Sequence, residues 1–165
     1  MIALSTVLVL ALAADVDRTH QPTAGPPPMW TAPAPTAFHA AGMKGRIGER
    51  HELPIVELTI NWDMGDVLDP AGKEGMHSLC VDLVGESTKD LDKSALEDRK
   101  ADLGATIRIG AGRETAQMTV RVAKERLQET LALAAGLLRT PGLRGEDLVR
   151  LREERKASIL QSRGN

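Results

Sequence analysis

Between Asp69 and Thr88 the chain reads Asp-Pro-Ala-Gly-Lys-Glu-Gly-Met-His-Ser-Leu-Cys-Val-Asp-Leu-Val-Gly-Glu-Ser-Thr, a Pro/Gly turn running directly into a helix. Met76, Leu79, Cys80, Leu83 and Val84 recur at helical spacing, which predicts one buried face. Ser78, Val81 and Asp82 stand at i, i+3 and i+4 and are predicted to share the opposite face. Whatever fold the chain adopts must seat this turn and this helix together.

The flanking segments limit the choice. Before the turn, Val56, Leu58, Ile60 and Trp62 alternate with Glu57, Thr59 and Asn61, the period of a half-buried strand. An earlier, weaker strand is expected around Gly42-Met43-Lys44, with Gly45 and Gly48 costing backbone entropy and packing nothing. After Thr88, Ser94-Ala95-Leu96-Glu97 has the form of a capping box and predicts a helix that ends at Leu103-Gly104. Ala105, Ile107 and Ile109 then alternate with Thr106 and Arg108, and Met118, Val120 and Val122 mark a returning strand. A further helix carries the stripe Leu127, Leu131, Ala134 and Leu138 and stops before Pro141. The last helix begins after Gly145, with Glu146 and Asp147 well placed in its first turn. The order is β-β-α-α-β-β-α-α.

The turn Asp69, Gly72, Gly75, the run Glu49-Arg50-His51-Glu52-Leu53-Pro54 and this element order together resemble the N-terminal unit of the insulinase/pitrilysin/mitochondrial-processing-peptidase family, from about Ala37 to Gln161. The resemblance implies an α+β fold in which helices cover one face of an antiparallel sheet. It also implies an inverted zincin motif, Gly-x-x-His-x-x-Glu-His, whose two imidazoles hold zinc while a carboxylate takes a proton from the bound water. Counted from Gly75, the three motif positions are Ser78, Val81 and Asp82. Matching Glu154-Arg155 to the family's last-helix run places Gln161 where a glutamate ligand stands in active members, and a carboxamide is a poor zinc ligand beside a carboxylate. All four positions depart from the motif, so no catalytic, cofactor-binding or metal-binding residue is assigned.

Other chemistry in the chain is weaker. His77 and Cys80 are spaced i, i+3, but structural zinc takes four ligands and no second pair is evident. Cys80, the single cysteine, reads as a buried structural thiol. His51 reads as a surface residue, and His20 and His39 lie in or beside a linker. Ser78 and Asp82 are able to share a hydrogen bond across one helical turn, but neither a base nor an oxyanion hole can be named for a serine nucleophile. The run Arg144 to Lys156 mixes both signs and reads as a solvated helix face with pairs such as Glu146–Arg150.

Residues Ile2 to Ala14 form an apolar run ending Ala11-Leu12-Ala13-Ala14, as in a signal-peptide core and cleavage site, although no Lys or Arg precedes it. A buried apolar strand is the alternative, disfavoured by the Pro/Thr/Ala-rich segment that follows it from Asp15. The expected organisation is a leader over 1–14, a linker over 15–36 and the folded unit over 37–165. A net charge of −2 gives no electrostatic footprint for nucleic acid or a membrane surface. With one Phe, two Trp and no Tyr, the interior must be aliphatic.

The apolar run leads us to expect an exported protein, periplasmic if bacterial, and the four departures from the motif imply loss of the zinc that active relatives hold. In that family, degenerate subunits pair with zinc-competent homologues and dock peptides or unfolded segments along a sheet edge. The alternatives are a metalloendopeptidase with displaced ligands and an inactive, C-terminally truncated fragment.

Overall fold

The computed structural model describes Gly25, Met29, Thr31 and residues 33–164. The apolar run Ile2 to Ala14 and most of the Pro-rich segment lie outside the described residues. The chain divides into two compact units, one ending at Glu49 and the other running from Arg50 to Asn165.

The first unit contains a hairpin of β1 (Thr36–Ala40) and β2 (Met43–Ile47). Its turn is Ala41-Gly42, with φ of 49° and 80°. Two successive positive φ values give a turn whose twist matches that of the strands. This extends the predicted order by one strand at its start: the strand near Gly42 pairs with a segment before it. Gly45 also has a use, because it stands opposite Phe38 and the phenyl ring occupies the space a Cβ would fill.

In the second unit, β3 (Ile55–Trp62), β4 (Thr106–Ala111) and β5 (Ala116–Ala123) form an antiparallel sheet in the order β3-β5-β4. Pairing of Leu58 with Val120 and of Ile107 with Val120 aligns the apolar residues of all three strands on one face. The central strand is the most deeply covered, with Ala116, Met118, Val120 and Val122 each at most 2% exposed. Four helices follow from the sequence: α1 (Met76–Glu86), α2 (Lys93–Asp102), α3 (Leu127–Arg139) and α4 (Gly145–Arg163). The fold is α+β, with α1 packed on β4, α3 on β5 and α4 against α1. Leu96, Ile107, Met118, Val120, Ala134 and Leu137 form the core, an aliphatic interior as composition requires.

The termini of α2 show how local chemistry fixes the elements. Its N-cap is Asp92, whose side chain accepts from the Ala95 N–H at 2.9 Å, so the helix starts before the predicted capping box. At the other end Gly104, at φ 58°, donates to Ala101 while Ala105 donates to Lys100. That pair of bonds is a Schellman closure, which needs a left-handed residue after the cap.

Two predicted helix phases are corrected. On α1 the buried residues are Ser78, Val81 and Leu83, while Cys80 is exposed. The helix is turned so that the Ser78–Asp82 side faces α4, and the polar groups there bury because they are hydrogen-bonded. On α3 the inward stripe is Thr130, Ala134 and Leu137, and Leu138 is 40% exposed. Thr130 is tolerated inside because its hydroxyl donates to the Arg126 carbonyl at 2.9 Å.

The neighbours Leu137 and Leu138 therefore separate the two phases. Leu137→Ala is expected to cost about 2–5 kcal/mol in denaturant unfolding, the range for buried leucine truncations, and Leu138→Ala much less. Equal losses would contradict the observed orientation of α3.

Candidate functional site

The loop leading into α1 is built around two aspartates. Gly72 and Gly75 adopt φ of 79° and 85°, a region that side-chain-bearing residues rarely enter, and so wrap the chain around Asp69. The Asp69 carboxylate accepts from the N–H groups of Gly75 (2.5 Å), Met76 (3.2 Å) and His77 (2.9 Å). Asp66 accepts from the Ser78 N–H at 3.1 Å. The four donors that a helix start leaves without partners are all satisfied by carboxylates, which also complement the positive end of the helix dipole.

The same loop is tied to the β4–β5 turn. Asp66 and Val67 donate to the Gly112 and Arg113 carbonyls at 3.2 and 2.9 Å. Gly65 lies so close to Arg113 and Glu114 that a Cβ there would meet backbone atoms at 2.5 Å. The start of α1 is thereby fixed relative to the sheet.

His77 completes the cap: its Nδ1 lies 2.5 Å from Asp69 Oδ1. Burial pushes the Asp69 carboxyl up, but the His77 side chain and the His77 and Gly75 N–H groups together outweigh this and hold it below the ordinary 3.8. His77 is thus committed to Asp69, and Cys80, one turn along, is exposed.

On the face carrying Ser78, Val81 and Asp82, Arg155 of α4 makes the polar contacts to Ser78 and Asp82. Its Nη1 donates to Ser78 Oγ at 2.6 Å and to the Gly75 carbonyl at 3.1 Å, and its Nη2 donates to Asp82 Oδ2 at 2.5 Å. Ser78 Oγ also donates to the Gly75 carbonyl at 3.2 Å. Asp82 is lifted above the ordinary aspartate value by burial, which the Arg155 charge and hydrogen bond only partly offset. Arg155 thus clasps Ser78 and Asp82, one turn apart on α1, together with the Gly75 carbonyl at the start of the helix. Gln161 is exposed, six residues beyond Arg155 and about 9 Å further along the helix at 1.5 Å per residue.

Arg155 escaped the sequence reading because its partners are separated from it by more than 70 positions, as in Asp82 at |i−j| of 73. The available signal was Asp82 itself, a carboxylate on a helix flank that needs a cation when covered. Nearer the C-terminal end of α1, Glu86 holds both Lys93 and Arg150, and Arg150 also pairs with Asp147 and Glu154. The predicted charged run is therefore partly an inter-helix network, with Asp147 buried and accepting from Ser87 Oγ at 3.3 Å.

Two hollows border β4. One, of about 330 Å³, is lined by Asp82, Gly85, Glu86, Glu97, Lys100 and β4 residues 107–109, with Leu151 of α4. The other, of about 750 Å³, lies over the polar face of the sheet and includes Glu57, Thr106, Arg108, Gln117, Thr119 and Arg121. Among the described residues β4 pairs on one side only, with β5.

No family model and no curated protein matches the chain. Solved structures do. The peptidase M16 inactive domain of Pseudomonas fluorescens superposes with a TM-score of 0.74 at 22% identity, over 79% of this chain and 32% of that one. A protease from Helicobacter pylori gives 0.62 at 16% identity, over 73% of this chain and 29% of that one. The chain therefore has a peptidase M16-like fold and spans about a third of the length of these structures.

Two stability measurements check this site. Asp69 is held below 3.8, so its contribution is present above that value and lost as pH falls through the lower folded one. Asp69→Asn is expected to lower the melting temperature at pH 7, with the gap to the unmodified protein closing only below about pH 3.8. Asp82 has the opposite sign, because its ionised form is disfavoured in the folded protein. Hence Asp82→Asn is expected to be mild, whereas Arg155→Met, which strands the carboxylate, should cost about 1–3 kcal/mol in denaturant unfolding.

Proposed function

We propose that this chain is a non-catalytic, peptide-binding relative of the insulinase/pitrilysin/mitochondrial-processing-peptidase enzymes, acting beside a zinc-competent homologous subunit. One observation carries the reading: a guanidinium occupies the face where active members of that family hold their metal. A catalytic zinc needs three protein ligands and an open position. Here Val81 offers no donor, the Ser78 hydroxyl is engaged by Arg155 and Gly75, and the one carboxylate, Asp82, is already neutralised by Arg155. A dication placed there would meet a fixed positive charge, so the residues present do not fit zinc.

Peptide docking asks less of these residues. An extended peptide can add to the free side of β4, where every second residue turns its N–H and C=O outward. Its affinity would come from backbone hydrogen bonds and would survive the loss of a metal. The neighbour described as an inactive domain supports a fold of this kind without catalysis, and the length of the matched structures supports a partnership with further units. Export belongs to the same proposal and rests on the apolar run Ile2 to Ala14.

The experiment is a binding and cleavage assay on the full chain with fluorescent, strand-forming peptides of eight to ten residues, on the order of a strand's span. Binding is expected to persist in chelator, to fall sharply when alternate amides are N-methylated, and to leave the peptides intact by mass spectrometry. Metal analysis should find far less than one zinc per chain. Chelator-sensitive cleavage, or an absence of binding, would overturn the proposal.

A further inference from the structure

The charges around the α1–β4 junction are not evenly matched. In the hollow between α1 and β4, Asp82 holds Arg155, Glu86 holds Arg150 and Lys93, and Glu97 holds Lys100. Every carboxylate there already has a cation. Arg108, which lines this hollow and also the larger one over the sheet, is exposed, and its side chain makes no hydrogen bond or ion pair with the described residues. On the sheet face Arg121, likewise exposed and with a side chain unpaired among the described residues, stands on β5 opposite Thr106, two residues from Arg108 along β4 and on the same face. The one carboxylate lining the larger hollow, Glu57, stands across the strands from Arg121, with no salt bridge between them. The balance over that face is two cations to one anion, and the cation without a cross-strand carboxylate is Arg108.

We propose that Arg108 selects acidic segments: an extended peptide added to β4 places a Glu or Asp side chain on the helix-free face, against the Arg108 guanidinium. The inference rests on the peptide-docking reading above and specifies its ligand. Residues directly opposite on adjacent strands have Cβ atoms about 4.5–5.5 Å apart, so a side chain facing position 108 is within reach of it. Arginine's planar fork matches a carboxylate in two parallel hydrogen bonds, and desolvation is modest because the face is open. Residues on either side of 108 do not compete, since Ile107 turns to the core and Ile109 is half-buried.

The test uses the full chain and three labelled strand-forming peptides that differ at a central position, Glu, Gln or Lys, at low ionic strength. The Glu peptide is expected to bind about fivefold more tightly than the Gln peptide, the scale of one exposed ion pair. That preference should shrink as salt is raised past about 0.15 M. Arg108→Glu should invert the order so that the Lys peptide binds best, and Arg108→Gln should abolish the preference among the three peptides. Thermal melting of both variants should match the unmodified protein, because Arg108 has no partner to lose. Equal binding of all three peptides, or a Glu preference that survives Arg108→Glu, would overturn the role of Arg108 while leaving edge docking intact. Failure of every peptide to bind would overturn both.

Discussion

Three backbone N–H groups at the start of α1 converge on a single carboxylate, that of Asp69, and the next one is taken by Asp66. A helix of this length gains little from propensity alone, so what fixes its first residue also fixes its rotation about its axis. Since the Asp66 loop is bonded to the β4–β5 turn, that rotation is set against the sheet rather than against solvent. The consequence is felt one turn later: Ser78 and Asp82 face α4 and are held there by Arg155, beside the buried Val81 and Leu83. Asp69 can do this only because Gly72 and Gly75 enter the left-handed region and let the chain circle the carboxylate.

Once α1 is so turned, it presents a serine, a valine and a carboxylate to whatever packs beside it, and Arg155 answers two of the three. The guanidinium suits this position for geometric reasons. Its separate N–H groups reach a helix-start carbonyl, a hydroxyl and a carboxylate at once, which an ammonium could manage less directionally. The pair is about one-third exposed on each side, so its worth lies less in net stability than in choosing one docking of α4 over others. On the proposed reading, a monovalent, covalently tethered cation has taken over the charge-balancing duty of a metal. It keeps the helices in register but offers no open position at which a water or a carbonyl could be polarised.

How much of this was legible follows from whether the relevant force is local. The alternation of Met118, Val120 and Val122 announces a central strand because backbone geometry imposes period two on every residue. Gly104 announces a helix end because the left-handed cap is a local conformational demand. The Asp69, Gly72, Gly75 turn is legible for the same reason. The phase of α1 was not, because apolar count favours the Leu79–Cys80 side whereas hydrogen bonds from a distant helix allow the polar side to bury. The hairpin partner of β2 was missed because Ala41-Gly42 is a weak turn signature, with an alanine in a conformation better suited to Asn or Gly. Arg155 was missed for the plainest reason: nothing in its own neighbourhood marks it, and its partners belong to another element.

The free side of β4 carries the hazard of any exposed strand, pairing with a second copy of the chain. Arg108 bears on this as well as on ligand choice. Two copies joining their β4 strands antiparallel in one continuous sheet must keep the same faces aligned, since side chains alternate. With β4 running from Thr106 to Ala111, pairing near its middle sets the two Arg108 side chains directly opposite each other or on a close diagonal. Like charges so placed are destabilising. An acidic strand meets the same edge with the opposite sign. On the proposed reading Arg108 thus discriminates twice, against a second copy of the chain and in favour of an acidic partner, and it does so without touching the Arg155 clamp between α1 and α4.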